Sequence, residues 1–181
     1  MNPFTLEEKS FVTLKDGTVA DLMQIVAQEP LFEGAEKLRL VEVYSSKIYK
    51  IHGDATPLKS LLAYAYTAFR VEEIPEDQFV VGEEEMIVAV NHADGDTYGL
   101  HAHGHPFFWK VTESTKASDI IAIIQEMVKA SDADVEKWKV GVSRFSIAKP
   151  QFVSNDEPLL PVIKRICVGS SSPTIVVKRK N

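Results

Sequence analysis

The chain repeats itself, and the repeat limits its fold more than any other feature. Ala20-Asp21-Leu22-Met23-Gln24-Ile25-Val26 aligns with Ser118-Asp119-Ile120-Ile121-Ala122-Ile123-Ile124 at an offset of 98 residues. At the same offset Phe11 and Thr13 fall on Trp109 and Val111. At an offset of 100, Lys37-Leu38-Arg39-Leu40 falls on Lys137-Trp138-Lys139-Val140. A period near 100 is too long for a solenoid and marks two copies of one small domain. It therefore favours two small domains where a length of 181 residues would also allow one large one.

Both copies read strand, turn, helix, strand, strand. In the first, residues 10–14 alternate and Asp16-Gly17 turns the chain. Thr18 then serves as N-cap with Asp21 three residues on, and Leu22, Ile25 and Val26 keep helical spacing until Pro30 and Gly34. Residues 38–44 and 47–51 flank Ser45-Ser46 as a hairpin. Thr56-Pro57 opens a helical turn holding Leu58, Leu61 and Leu62, and residues 69–74 form a strand that stops at Pro75. In the second copy residues 86–92 read as a buried strand, Asp94-Gly95-Asp96 as a turn, 101–105 as a loop and 107–111 as a strand. The strongest helix covers about residues 118–130, capped by Thr115 or Ser118. Strands follow at 138–142 and 144–153, the latter broken at Pro150.

A helix set between two strand pairs covers one sheet face and leaves the other wet, which is a two-layer α+β domain. By analogy, the ubiquitin-like β-grasp is the commonest fold with this order. The expected architecture is α+β, two tandem β-grasp domains. Only one strand precedes the helix in the first copy, so either residues 4–6 start a poor edge strand or that domain lacks one. The expected boundaries are 1–80 and 81–160, with an acidic linker at about 76–85 and a flexible basic tail at 161–181.

Charge sharpens that division. Residues 72–96 hold nine acidic side chains and no Lys or Arg, whereas 161–181 hold five basic ones and no acid. The two segments read either as a solvated linker and a frayed terminus or as docking surfaces. The net charge of -6 argues against a nucleic-acid partner. No apolar run approaches the roughly 20 residues of a membrane span, so no membrane partner is expected. The first residues carry no basic start or apolar core of a secretory signal. A single cysteine, Cys167, excludes a disulfide framework or cysteine-rich zinc site and fits a reducing compartment.

Three histidines, His101, His103 and His105, alternate as zinc or nickel ligands on a strand would. Gly104 and Pro106 break the strand, and no carboxylate takes the place a metal motif needs, so a solvated loop is expected and neither metal nor cofactor. Cys167 lies in Arg165-Ile166-Cys167-Val168 without the context of a catalytic cysteine, and reads as a structural thiol. Glu83-Glu84-Glu85 reads as solvated linker. Trp109, Trp138, Phe108 and Phe145 read as core.

Several strings are similar to one family. They are Thr18-Val19-Ala20-Asp21-Leu22, Leu38-Arg39-Leu40-Val41-Glu42-Val43, Lys47-Ile48-Tyr49-Lys50-Ile51 and Phe69-Arg70-Val71-Glu72-Glu73-Ile74-Pro75. Gly104-His105-Pro106-Phe107-Phe108 and Glu136-Lys137-Trp138-Lys139-Val140 follow in the same order. Over about residues 10–160 the chain resembles the C-terminal tandem ubiquitin-like domains of the ubiquitin-specific protease 7 family (the herpesvirus-associated ubiquitin-specific protease) and its plant relatives. The resemblance implies a non-catalytic region of a deubiquitinating cysteine protease. It implies action in cis on the upstream catalytic domain, binding of regulators or substrates, and residence in nucleus and cytoplasm. It further implies an activating tail, which here would be Thr174, Ile175, Val176, Val177, Lys178 and the terminal Asn181. Ile175 and Val177 would be its apolar anchors. Two alternatives stay open: a docking scaffold with no activating role, and a small metal-dependent enzyme using His101, His103 and His105.

Overall fold

Residues 16–44, 47–61, 67–95, 100–144, 149–166, 168 and 173–179 are described in the computed structural model. The chain divides between Phe79 and Val80 into two compact units. The expected strands at 10–14 and 4–6, together with Leu62, Phe145, Cys167 and Asn181, lie outside the described residues.

In the first unit the helix begins where the sequence places it. The Asp21 carboxylate accepts the Thr18 backbone N–H at 2.7 Å and the Thr18 hydroxyl accepts the Asp21 N–H, a capping box that opens α1 (Val19–Val26). The Thr18 backbone N–H and the Thr18 hydroxyl, which also donates to the Asp21 carboxylate at 2.9 Å, hold Asp21 below the usual carboxylate pKa. β1 (Leu38–Tyr44), β2 (Lys47–His52) and β3 (Thr67–Glu73) form an antiparallel sheet in the order β2-β1-β3. Leu40 stands opposite Val71 and His52, whereas Val41 stands opposite Arg70 and Ile51. Neighbouring residues face opposite sides of a strand, yet Leu40 and Val41 are both fully buried. Both faces of β1 are covered, and the expectation of one wet face fails here.

The second unit contains β4 (Glu85–Gly95), β5 (Leu100–Ala102), β6 (Phe107–Thr112), α2 (Ala117–Val128) and α3 (Asp132–Val135). It continues with β7 (Lys139–Ser143), β8 (Gln151–Phe152), α4 (Leu159–Ile166) and β9 (Thr174–Lys178). Its sheet runs β6-β4-β9-β7-β8, with β5 paired to the far end of β4. Leaving β5 aside, the order within the unit is second, first, fifth, third, fourth. The first and fifth strands are parallel and the other pairs antiparallel. That is the arrangement of the ubiquitin-like β-grasp. Ala117, Ile120, Ile121 and Ile124, at helical spacing on α2, pack with Val88, Val90, Val140, Ile175 and Val177 from the sheet.

The repeat is deeper than its sequence signal. In the first unit the Val19 N–H bonds the Thr56 carbonyl, the Leu58 N–H bonds the Gly17 carbonyl, and Thr18 bridges Pro57. In the second the Ala117 N–H bonds the Glu157 carbonyl, the Leu159 N–H bonds the Thr115 carbonyl, and Lys116 bridges Pro158. The same clasp ties each helix start to the segment that leads toward the last strand. By sheet register β9 is the counterpart of β3: Val177 faces Val140 as Val71 faces Leu40.

Five expectations are corrected. Residues 161–181 are not a flexible tail where they are described, because α4 buries Leu160, Val162 and Ile163 and β9 is an interior strand of the sheet. The second domain therefore does not end at 160. Asp94-Gly95 continues β4 instead of turning, and His101 stands in β5 opposite Asp94, because the end of β4 needs a partner. The N-cap of α2 is Lys116, the counterpart of Thr18. Its N–H is held by the Asp119 carboxylate at 2.8 Å, while the Thr115 hydroxyl accepts the Thr112 N–H.

The side of the second sheet away from α2 is also closed at its centre. Ala89, Asn91, Ala93, Gly141, Ser143 and Val176 are buried, with Leu100 and Ala102 packed against Ala93 and Val176. A Cβ on Gly141 would stand 2.7 Å from Cβ of Pro150, so that position has room for no side chain.

Candidate functional site

Of the expected activating residues, those from Thr174 to Lys178 are built into the second sheet, and Asn181 lies outside the described residues. Ile175, Val176 and Val177 have no exposed surface, and Thr174 and Lys178 are half-buried. β9 lies between β4 and β7, bonded to one in parallel and to the other in antiparallel register. In this fold Ile175 and Val177 fill the core beneath α2 and cannot also fill a groove elsewhere. A sequence signal for this exists: Pro158-Leu159 repeats Pro57-Leu58, and the first copy needs a further strand after that point.

The charged segments meet within the second unit. Lys164 pairs with Glu84, Arg179 lies 3.6 Å from Asp94, and Lys110 binds Glu85 at 2.7 Å. Lys164 and Arg165 also end α4, where cations complement the helix dipole. The acidic belt and the basic end thus partly neutralise each other.

The three alternate histidines do not converge. His101 is on β5 and exposed, His103 lies 3.6 Å from Asp94, and His105 is exposed in the loop before β6. Among the described residues no group of three or more His, Cys, Asp or Glu is placed to hold a metal ion. A fourth histidine is the unusual one. His92 on β4 is buried, its ring 4.8 Å from Trp138 and edge-on to His103 at 5.3 Å. Burial, then the neighbouring His103 and Arg179, lowers its pKa from 6.5 to about 4, against the pull of Asp94.

That shift predicts acid sensitivity. Unfolded, His92 takes a proton near pH 6.5; folded, it does so only near pH 4. Between those values the unfolded state binds more protons, so stability falls as pH drops through the window and is unaffected above it. The loss reaches about 3 kcal/mol at the acid end. Urea unfolding at pH 7 and pH 4.5 should show it in the wild type and not in His92→Gln. An equal pH dependence in both would remove His92 as the cause.

In the first unit the strings that carry the family resemblance form a buried charge network. Arg39 Nε donates to Glu72 at 2.6 Å, Arg70 Nη2 lies 2.8 Å from the other Glu72 oxygen, and Arg39 Nη1 donates to Gln78 at 3.1 Å. All three charged side chains are 10% exposed or less. Burial lowers the Arg70 pKa, and the Glu72 carboxylate opposes that shift without cancelling it. On the opposite face of β1, Glu42 holds His52 at 2.8 Å. The strings mark these residues but not their pairing, which depends on strand register.

One surface stands out. β2 is the edge of the first sheet among the described residues, and Tyr49 and Ile51 on it are 69% and 45% exposed. Tyr49 is the extra residue of a bulge, since Lys50 faces Glu42 and Ile48 faces Val43.

Comparison with known proteins agrees with this architecture. The family described as "Ubiquitin-specific protease C-terminal" matches residues 3–170. Ubiquitin C-terminal hydrolase 12 of Arabidopsis thaliana is 29% identical over 147 residues, covering 79% of this chain and 13% of that protein. Ubiquitin carboxyl-terminal hydrolase 15 of Schizosaccharomyces pombe is 27% identical over 156 residues, covering 84% of this chain and 14% of that protein. Ubiquitin carboxyl-terminal hydrolase 7 of Drosophila melanogaster is 27% identical over 146 residues, covering 74% of this chain and 13% of that protein. The chain spans 13% to 14% of the length of these relatives.

Proposed function

Because this chain belongs to the ubiquitin-specific protease C-terminal family, we propose that it is the non-catalytic ubiquitin-like region of a deubiquitinating cysteine protease. It acts in cis on the upstream catalytic domain to favour its active state and binds regulators or substrates. The observation that carries this reading is the match over residues 3–170, which takes in both copies of the repeat. A single cysteine fits a reducing compartment, and the reading puts the protein in nucleus and cytoplasm.

Activation requires that the region bind one state of the catalytic domain more tightly than the other; a tenfold bias takes about 1.4 kcal/mol. In this reading β9 contributes by holding the second unit together, and the activating contact comes from the folded surface. The test is turnover of ubiquitin with a fluorogenic leaving group by the parent catalytic domain, with and without this chain added in trans. A several-fold, saturable rise in rate is expected. A rate that stays flat at saturating chain ends the activating reading and leaves the docking scaffold.

A further inference from the structure

The exposed edge of the first unit has the chemistry of a peptide-binding strand, and we infer that β2 takes up an extended acidic segment of a partner protein. The inference rests on the regulator- or substrate-binding part of the reading above and names its surface. β2 is a six-residue strand whose one neighbour among the described residues is β1. On such an edge, alternate N–H and C=O groups point away from the sheet and can bond an added strand. Its side chains read Lys47-Ile48-Tyr49-Lys50-Ile51. Tyr49 and Ile51 offer apolar surface, and Lys50 is exposed beside them. The acid across from Lys50 on β1, Glu42, is engaged by His52 at 2.8 Å. The edge therefore presents the Lys50 ammonium between apolar side chains, which suits alternating acidic and apolar residues.

The same features narrow the occupant. A second copy pairing edge to edge would bring the lysines of one strand against those of the other, and like charges directly opposite oppose such pairing. The acidic run of this chain is committed elsewhere: Glu84 to Lys164, and Glu85 to Lys110 and the Gly82 N–H. An acidic segment from another protein meets neither obstacle.

The test is fluorescence anisotropy of a labelled peptide, Glu-Val-Asp-Val-Glu-Val-Asp, titrated with the full chain at low salt. Saturable binding is expected, weakened about tenfold or more by Tyr49→Asp and by Lys50→Glu. Lys59→Glu, an exposed charge change off this strand, should leave it unchanged. A peptide N-methylated at alternate amides should lose binding if the backbone is what is read. No binding up to about 1 mM, or binding indifferent to Tyr49→Asp and Lys50→Glu, overturns the inference. So does full binding of the N-methylated peptide, or a dimer in sedimentation that Tyr49→Asp abolishes. The assay contains no catalytic domain, so its failure leaves the trans-activation result standing, and the reverse holds too.

Discussion

Replacing Val177 by Asp unfolds the second unit. Val177 has no exposed surface, faces Val140 on β7 and His92 on β4, and belongs to the core under α2. An unpaired carboxylate there costs about 5 kcal/mol, against a stability of about 5–15 kcal/mol for a whole domain. Both tryptophans, Trp109 and Trp138, lie in this unit, so their fluorescence reports its unfolding. The urea midpoint should fall steeply or the cooperative transition vanish. A transition within about 0.5 kcal/mol of wild type would mean that β9 is not the interior strand described. Deletion of residues 173–181 should act the same way. Loss of catalytic activation after that deletion would then report a missing strand, and would say nothing about a tail reaching the catalytic domain.

The second large effect is in the other unit. Glu72→Ala leaves Arg39 and Arg70 buried without their shared carboxylate, at a cost of about 3–5 kcal/mol. Replacing all three charges by apolar residues of similar volume should cost less than the single change, because no charge is then stranded. Far-UV circular dichroism during urea unfolding of the two variants makes the comparison, since the tryptophans sit in the other unit. A Glu72→Ala chain that loses under about 1 kcal/mol would show the guanidinium groups to be solvated, as an exposed pair would be.

Much of the local structure could be read directly. Thr18 with Asp21, the hairpin at 38–52 and the apolar face of α2 are short-range patterns whose causes lie within a few residues. The end of the chain misled for an equally physical reason. Ile175-Val176-Val177 between a serine run and basic residues has no local partner, and its place depends on β4, some 85 residues earlier in sequence. Pro161 occupies the first turn of α4, where its missing N–H has no intrahelical bond to lose. The candidate site was legible to the same extent. The strings containing Arg39, Arg70 and Glu72 are among those that carry the family resemblance, yet nothing local shows that one carboxylate serves two guanidinium groups. His92 read only as part of a buried strand; the ring contacts that depress its pKa come from other segments.

The parallel pairing of β4 and β9 has a mechanical consequence. Pulling the second unit by the start of β4 and the end of β9 draws two neighbouring parallel strands in opposite directions along their length. The rungs from Ala89–Thr174 to Ala93–Lys178 are then loaded in shear, sharing the force, instead of opening one at a time like a zip. A unit built this way would hold its shape under tension applied along the chain, such as that exerted by unfolding machinery on a tethered substrate.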